Sequence, residues 1–205
     1  MKIIKALFDN MLIYDFFSKF VSTEKTKVLL NNTLRLEECI SVVDFGCGLG
    51  FMADNFVGAK YIGIDPLPAL IRQAQKRLEC KPNVEFIVGD QNILKNLPSN
   101  EFDLLFGVGV LHHMSDSQIE ILQCELKRIL TKNGRVFFWE PNLDESTRKL
   151  ERFFIKLDRG QMARSAYEYL NLLGQENFNF STQVHRNLLR IPYDILIIQG
   201  LVKPS

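Results

Sequence analysis

Apolar positions along the chain follow two different periods. Short apolar runs that close on an acid or a glycine occur at Ser41–Phe45, Lys60–Asp65, Val84–Val88, Phe102–Gly107 and Arg135–Glu140. Runs of this length, bounded by turn residues, read as buried strands. Between them the apolar residues recur at helical spacing. Leu67, Leu70, Ile71, Ala74 and Leu78 mark a helix over 67–79, with Pro66 and Pro68 suited to its first turn, where an N–H has no helical partner. Ile119, Leu122, Leu126, Ile129 and Leu130 mark another, opened by the capping box Ser115–Gln118 and ended by Asn133-Gly134. Residues 91–101 are polar, contain Pro98 and read as a loop. Strands alternating with helices from 40 to 140 predict a doubly wound α/β fold.

The flanks differ from this core. Residues 3–21 place Ile4, Leu7, Phe8, Met11 and Leu12 at helical spacing, with Phe8, Phe16, Phe17 and Phe20 making one side aromatic. A second helix is expected over 23–37. Residues 144–173 are helical in composition with a break near Arg159-Gly160, and their excess of Arg and Lys up to Arg164 reads as a solvated face. Gly174 stops the second piece. Phe178–Arg186 and Tyr193–Val202 then read as two strands joined near Pro192. We expect a single domain over 1–205: a helical cap at 1–38, a core at 39–142, and helices with a strand pair at 143–205.

The candidate chemistry starts at the end of the first strand, Asp44-Phe45-Gly46-Cys47-Gly48-Leu49-Gly50. Gly46 can take a positive φ, Gly48 lets a ligand approach the backbone, and Gly50 would let the next helix start tight against the sheet. Free N–H groups and a positive helix end would then face an anion. The second strand ends in Asp65, followed by Pro66, and a carboxylate there can accept hydrogen bonds from ribose hydroxyls. The glycines read G-x-G-x-G, so the dinucleotide fingerprint G-x-G-x-x-G is not met, which disfavours a nicotinamide-dependent oxidoreductase.

The stretch resembles motif I of the class I S-adenosylmethionine (SAM)-dependent methyltransferases, D-x-G-C-G-x-G, and the likeness runs on to about Asn142. It implies a Rossmann-like sheet of seven strands with the last antiparallel, an N-terminal helical lid, and SAM as cofactor. Asp44, Gly46, Cys47, Gly48, Gly50, Asp65 and Pro66 then fall at the cofactor, with Gly107 and Val108 at the fourth strand's end. The strand ending Gly89-Asp90-Gln91 matches the position whose acid lies near the adenine amino group in that family. On local sequence alone, Asp90 reads equally as a solvated turn residue.

Composition narrows the function. The net charge of +1 over 205 residues leaves no overall electrostatic footprint for nucleic acid. The family's N-P-P-Y or D-P-P-Y is absent after the fourth strand, where Gly107-Val108-Gly109-Val110 stands. Cys39, Cys47, Cys80 and Cys124 form no C-x-x-C pair, so no metal site is expected and reduced, cytoplasmic thiols are. Asp9, Asn10 and Asp15 interrupt the first apolar stretch, so neither a signal peptide nor a membrane span is expected there.

The function expected is methyl transfer from SAM to an O, N or C nucleophile of a small-molecule acceptor. The alternative is a SAM-binding partner subunit of the same fold without methylation activity. The candidate bases are His113 and His112, one expected under the sheet edge and His113 expected in the cleft; His185 is more distant. Neither the acceptor nor the oligomeric state is written in the sequence.

Overall fold

A computed structural model describes residues 24–34, 38–157 and 162–204. Its centre is a sheet of seven strands in the order β3-β2-β1-β4-β5-β7-β6. The strands are β1 (Ser41–Phe45), β2 (Lys60–Asp65), β3 (Val84–Val88), β4 (Phe102–Val108), β5 (Leu130–Pro141), β6 (Phe178–His185) and β7 (Ile195–Val202). Neighbours from β3 through β5 are parallel; β7 runs antiparallel to both β5 and β6, as the resemblance implied. The helices are α1 (Glu24–Leu34), α2 (Pro68–Arg77), α3 (Asp116–Ile129), α4 (Lys149–Leu157) and α5 (Ala166–Leu172). The predicted helix at 3–21 lies outside the described residues.

Both faces of the sheet are covered, so alternate residues of each inner strand enter different cores. Val43, Phe45, Leu105, Val136 and Phe138 join Ile119, Leu122, Leu126 and Ile129 of α3 on one side. Val42, Leu104, Phe106, Phe137 and Trp139 join Ile71 and Ala74 of α2 on the other, together with Leu34 of α1 and Ile155 of α4. Double burial is why these strands read as continuous apolar runs. Helix α1 packs on this second face: the Thr26 hydroxyl donates to the Leu188 carbonyl (3.4 Å), and Arg135 donates to the Leu34 carbonyl (3.1 Å).

Four local expectations need correction. No α-helix follows the glycine turn; Phe51–Asn55 is a single 3-10 turn. Residues 46–50 are spent on the turn and Gly58 (φ 84°) redirects the chain, leaving room for nothing longer. Residues 91–101 also contain a 3-10 turn, Gln91–Asn96, capped by the Asp90 carboxylate. Helix α3 has the predicted capping box but ends at Ile129, and β5 begins at once with Leu130. Asn133-Gly134 lies inside that strand, where its register against β4 shifts: Leu130 faces Phe102 and Arg135 faces Leu104. Finally, Arg164 is buried rather than solvated.

Candidate active site

The strand order reverses between β1 and β4, which leaves a crevice above the carboxyl ends of the strands. The glycine turn closes the β1 end. The N–H groups of Gly46 and Cys47 both donate to the Ile64 carbonyl, at 2.8 and 3.0 Å, which pins the turn to β2. Gly48 and Gly50 take positive φ values of 53° and 67°, yet for different reasons. A Cβ on Gly48 would meet nothing within 4 Å, so its missing side chain leaves open space. A Cβ on Gly50 would lie 2.5 Å from the Phe86 ring of β3, so that glycine is required by packing. The Cys47 thiol turns inward, where a Cβ on Gly63 would meet it at 2.9 Å. Burial, first, and the carboxylates of Asp44 and Asp65 push this thiol's pKa far up, which disfavours the nucleophilic thiolate.

Asp65 is tied to the same turn. One carboxylate oxygen accepts from the Gly48 N–H (3.0 Å) and the other from the Leu67 N–H (2.9 Å). Each oxygen therefore keeps lone-pair capacity for a further donor. Burial raises its pKa, and these two N–H groups oppose the shift. Asp44 is buried beside it and accepts a hydrogen bond from the Tyr61 hydroxyl. Burial pushes the Asp44 carboxyl up to about 7; the Tyr61 bond lowers it and nearby Asp65 raises it.

Around this centre lie exposed apolar side chains from four segments: Phe51 after the turn, Leu67 after β2, Val88 at the end of β3 and Val108 at the end of β4. Pro66 is exposed beside Leu67, and Gln91 is buried. Asp90 is exposed, and its carboxylate is engaged locally by the backbone and side-chain amides of Asn92, at 2.9 and 3.1 Å. Gly107 is buried beneath the crevice, because a Cβ there would run into Val110 and the Phe45 carbonyl.

The histidines sit on the loop that leaves β4. His112 is buried, with Nδ1 2.7 Å from Oε2 of Glu140 at the end of β5. His113 is exposed, its ring centroid 4.1 Å from that of His112. His185 ends β6, at the sheet's edge two strands from β5, so it does not join the pair. Among the described residues, no group of three or more His, Cys, Asp or Glu could hold a metal ion.

Sequence reasoning missed three supports. Arg77 at the end of α2 donates to the carbonyls of Leu49 (3.4 Å) and Gly50 and pairs with Asp54, bracing the glycine turn. Glu140 was read as an acid at a strand end on the cleft side, without its tie to the loop after β4, and Arg164 only as part of a charge run. Basic residues in a last helical turn are a general feature, so the sequence held no signal for Arg77.

An open glycine, an acid with spare acceptor capacity and an apolar rim fit a cofactor combining hydroxyls with a flat apolar ring. The strand order places the chain in the Rossmann-like fold class. Residues 42–134 match the family described as methyltransferase domain. The chain is 30% identical over 151 residues to a trans-aconitate 2-methyltransferase of Afipia carboxidovorans, an alignment covering 70% of this chain and 56% of that protein. Its fold matches the PH0226 protein of Pyrococcus horikoshii with a TM-score of 0.70 at 20% identity, over 92% of this chain and 91% of that one. It also matches the N-methyltransferase NodS of Bradyrhizobium japonicum, solved with S-adenosyl-L-homocysteine (SAH), with a TM-score of 0.66 at 15% identity over 89% of both chains. The chain spans between 23% and 56% of the lengths of the curated relatives it matches. Over residues 42–134 and in its fold the chain is thus similar to SAM-dependent methyltransferases.

Proposed function

We propose that this chain transfers the SAM methyl group to an O, N or C nucleophile of a small-molecule acceptor. The observation that carries the reading is Asp65, whose two oxygens each hold one backbone N–H beside the open Gly48. When bound, SAM supplies a methyl group on an electron-poor sulfonium, so the chain's task is to align the reactants and exclude water. Asp65 would hold the ribose hydroxyls. The N–H groups and open face of Gly46–Gly50 would receive the amino-acid end, and Leu67, Val88 and Val108 would flank the adenine. The backbone of Pro66, Gln91 and Gly107 would complete the walls, with Asp90 within the same rim. A proton leaving the acceptor would pass to the pair His112 and His113.

A small-molecule acceptor is supported by the near-neutral charge and by relatives named for small acceptors, trans-aconitate and phosphoethanolamine. We place the protein in the cytoplasm on its cysteine pattern; among the described residues no helix is long and apolar enough to cross a membrane. Calorimetry should show saturable binding of SAH and none of NAD. Labelled SAM with a small-molecule extract should then yield a labelled product identifiable by mass spectrometry. Failure to bind SAH would refute the reading, and binding without any labelled product would make the chain a non-catalytic SAM-binding subunit.

A further inference from the structure

Glu140 is fully buried, and among the described residues its side-chain hydrogen bonds all go to one loop. Oε1 accepts from the N–H of Val110 (2.9 Å) and of Leu111 (2.8 Å). Oε2 accepts from the N–H of His112 (3.2 Å) and lies 2.7 Å from its Nδ1. Removing a carboxylate from water costs several kcal/mol unless its lone pairs are filled, and here three amides and an imidazole fill them. With amides pointing at both oxygens, the carboxyl is an acceptor on every side. The proton between it and the imidazole therefore belongs to Nδ1, which leaves Nε2 as the basic nitrogen of neutral His112.

The loop is also held from outside. The His112 carbonyl accepts from the Met162 N–H (3.2 Å), and buried Arg164 donates to the carbonyls of Leu111 (3.3 Å) and Met114 (2.9 Å). Val110, the first residue that Glu140 holds, packs so closely on the glycine turn that a Cβ on Gly46 would meet its Cγ2 at 2.8 Å. Fixing the loop on Glu140 therefore fixes the imidazole relative to the cofactor turn.

We infer that Glu140 is a positioning residue: it locks His112 in the Nδ1–H form with Nε2 basic, and so makes His112 the oriented member of the histidine pair. The catalytic part of this inference rests on the methyltransferase reading; the orientation does not.

Histidine-labelled protein without cofactor or acceptor gives the first test. The chain has three histidines, so nitrogen-resolved NMR with His112→Gln, His113→Gln and His185→Gln assigns each ring. Neutral wild-type His112 should carry its proton on Nδ1, and the Nε2–H tautomer would overturn the inference. Glu140→Gln removes the charge at nearly constant volume and should abolish that signature. It should also lower methyl incorporation from labelled SAM by at least about tenfold while SAH affinity changes by less than about threefold. A Glu140→Gln variant that retains the Nδ1–H signature, or that loses only thermal stability, would overturn the inference. Where that variant does not fold, the wild-type spectrum decides alone. A chain showing the signature but binding no SAH would refute the proposed function and leave the orientation standing.

Discussion

Replacing Gly48 with alanine separates the cofactor surface from the fold, because the two requirements meet different glycines. At Gly48 a new Cβ touches nothing within 4 Å, so the only folding cost is a non-glycine residue at φ 53°. That cost is about 1–2 kcal/mol, partly offset by about 0.4–1 kcal/mol from a stiffer unfolded chain. The same methyl group would project into the space left for the ligand. If a bound ring or carboxylate must retreat from it, affinity should fall at least tenfold, about 1.4 kcal/mol. At Gly50 the backbone is also left-handed, but the Cβ would sit 2.5 Å from the Phe86 ring. Overpacking adds about 1–3 kcal/mol to the conformational cost there. Urea denaturation and SAH calorimetry on both variants give the comparison. Gly48→Ala should lose binding with little stability, whereas Gly50→Ala should lose mainly stability. Gly48→Ala binding SAH as tightly as the wild type would refute the assignment of the open face to the cofactor.

Asp65→Ala should weaken SAH binding by about ten- to a hundredfold, the worth of charge-assisted bonds of ~1.5–3 kcal/mol, and should also lower Tm because the Gly48 and Leu67 amides lose their acceptor. The Asp44 carboxyl, raised to about 7 by burial, binds its proton more tightly folded than unfolded, so its contribution is full below the ordinary carboxylate range and is lost as pH rises through 7. Asp44→Asn should therefore gain stability over the wild type on going from pH 5 to pH 8 in parallel urea titrations; an unchanged difference would contradict the burial argument. Arg164→Met strands the carbonyls of Leu111, Met114 and Met162 and should cost roughly 2–4 kcal/mol in urea denaturation, with Arg164→Lys recovering only part of it. Turnover should be unchanged by a chelator, since the Glu140 oxygens are occupied by the loop and the described residues hold no metal-ligand cluster.

The fold was legible because every inner strand is buried twice. Val42-Val43 and Phe137-Phe138 place one residue in each core, and that demand writes an unbroken apolar run into the sequence. The capping box at Ser115 was equally legible, since the bond between Ser115 and Gln118 closes within one turn. What failed depends on neighbours far along the chain. Asn133-Gly134 is a general stop signal, but β4 recruits Leu130 first, and the pair then marks an irregular strand. Gly50 looked like the start of a helix, yet its constraint is Phe86 on another strand. Arg164 looked like one more surface cation; the carbonyls that hold it buried belong to Leu111, Met114 and Met162, two of them some fifty residues away in the chain.

Three acids at strand ends carried the same signal in the sequence, and the donors each one meets decide its role. Asp44 meets one hydroxyl, from Tyr61, inside a core, and burial raises its pKa. Glu140 has one more methylene, reaches under the β4 exit loop, and spends both oxygens on three amides and an imidazole. Asp65 is short and sits beside the turn, so among the described residues only the amides of Gly48 and Leu67 reach it, one per oxygen. A carboxylate can accept about four hydrogen bonds. By that count Glu140 is complete without a ligand, and Asp65 is half filled. The unfilled half of Asp65 is the physical reason to look for the cofactor's hydroxyls there, and the filled state of Glu140 is the reason to look for its effect in His112 instead.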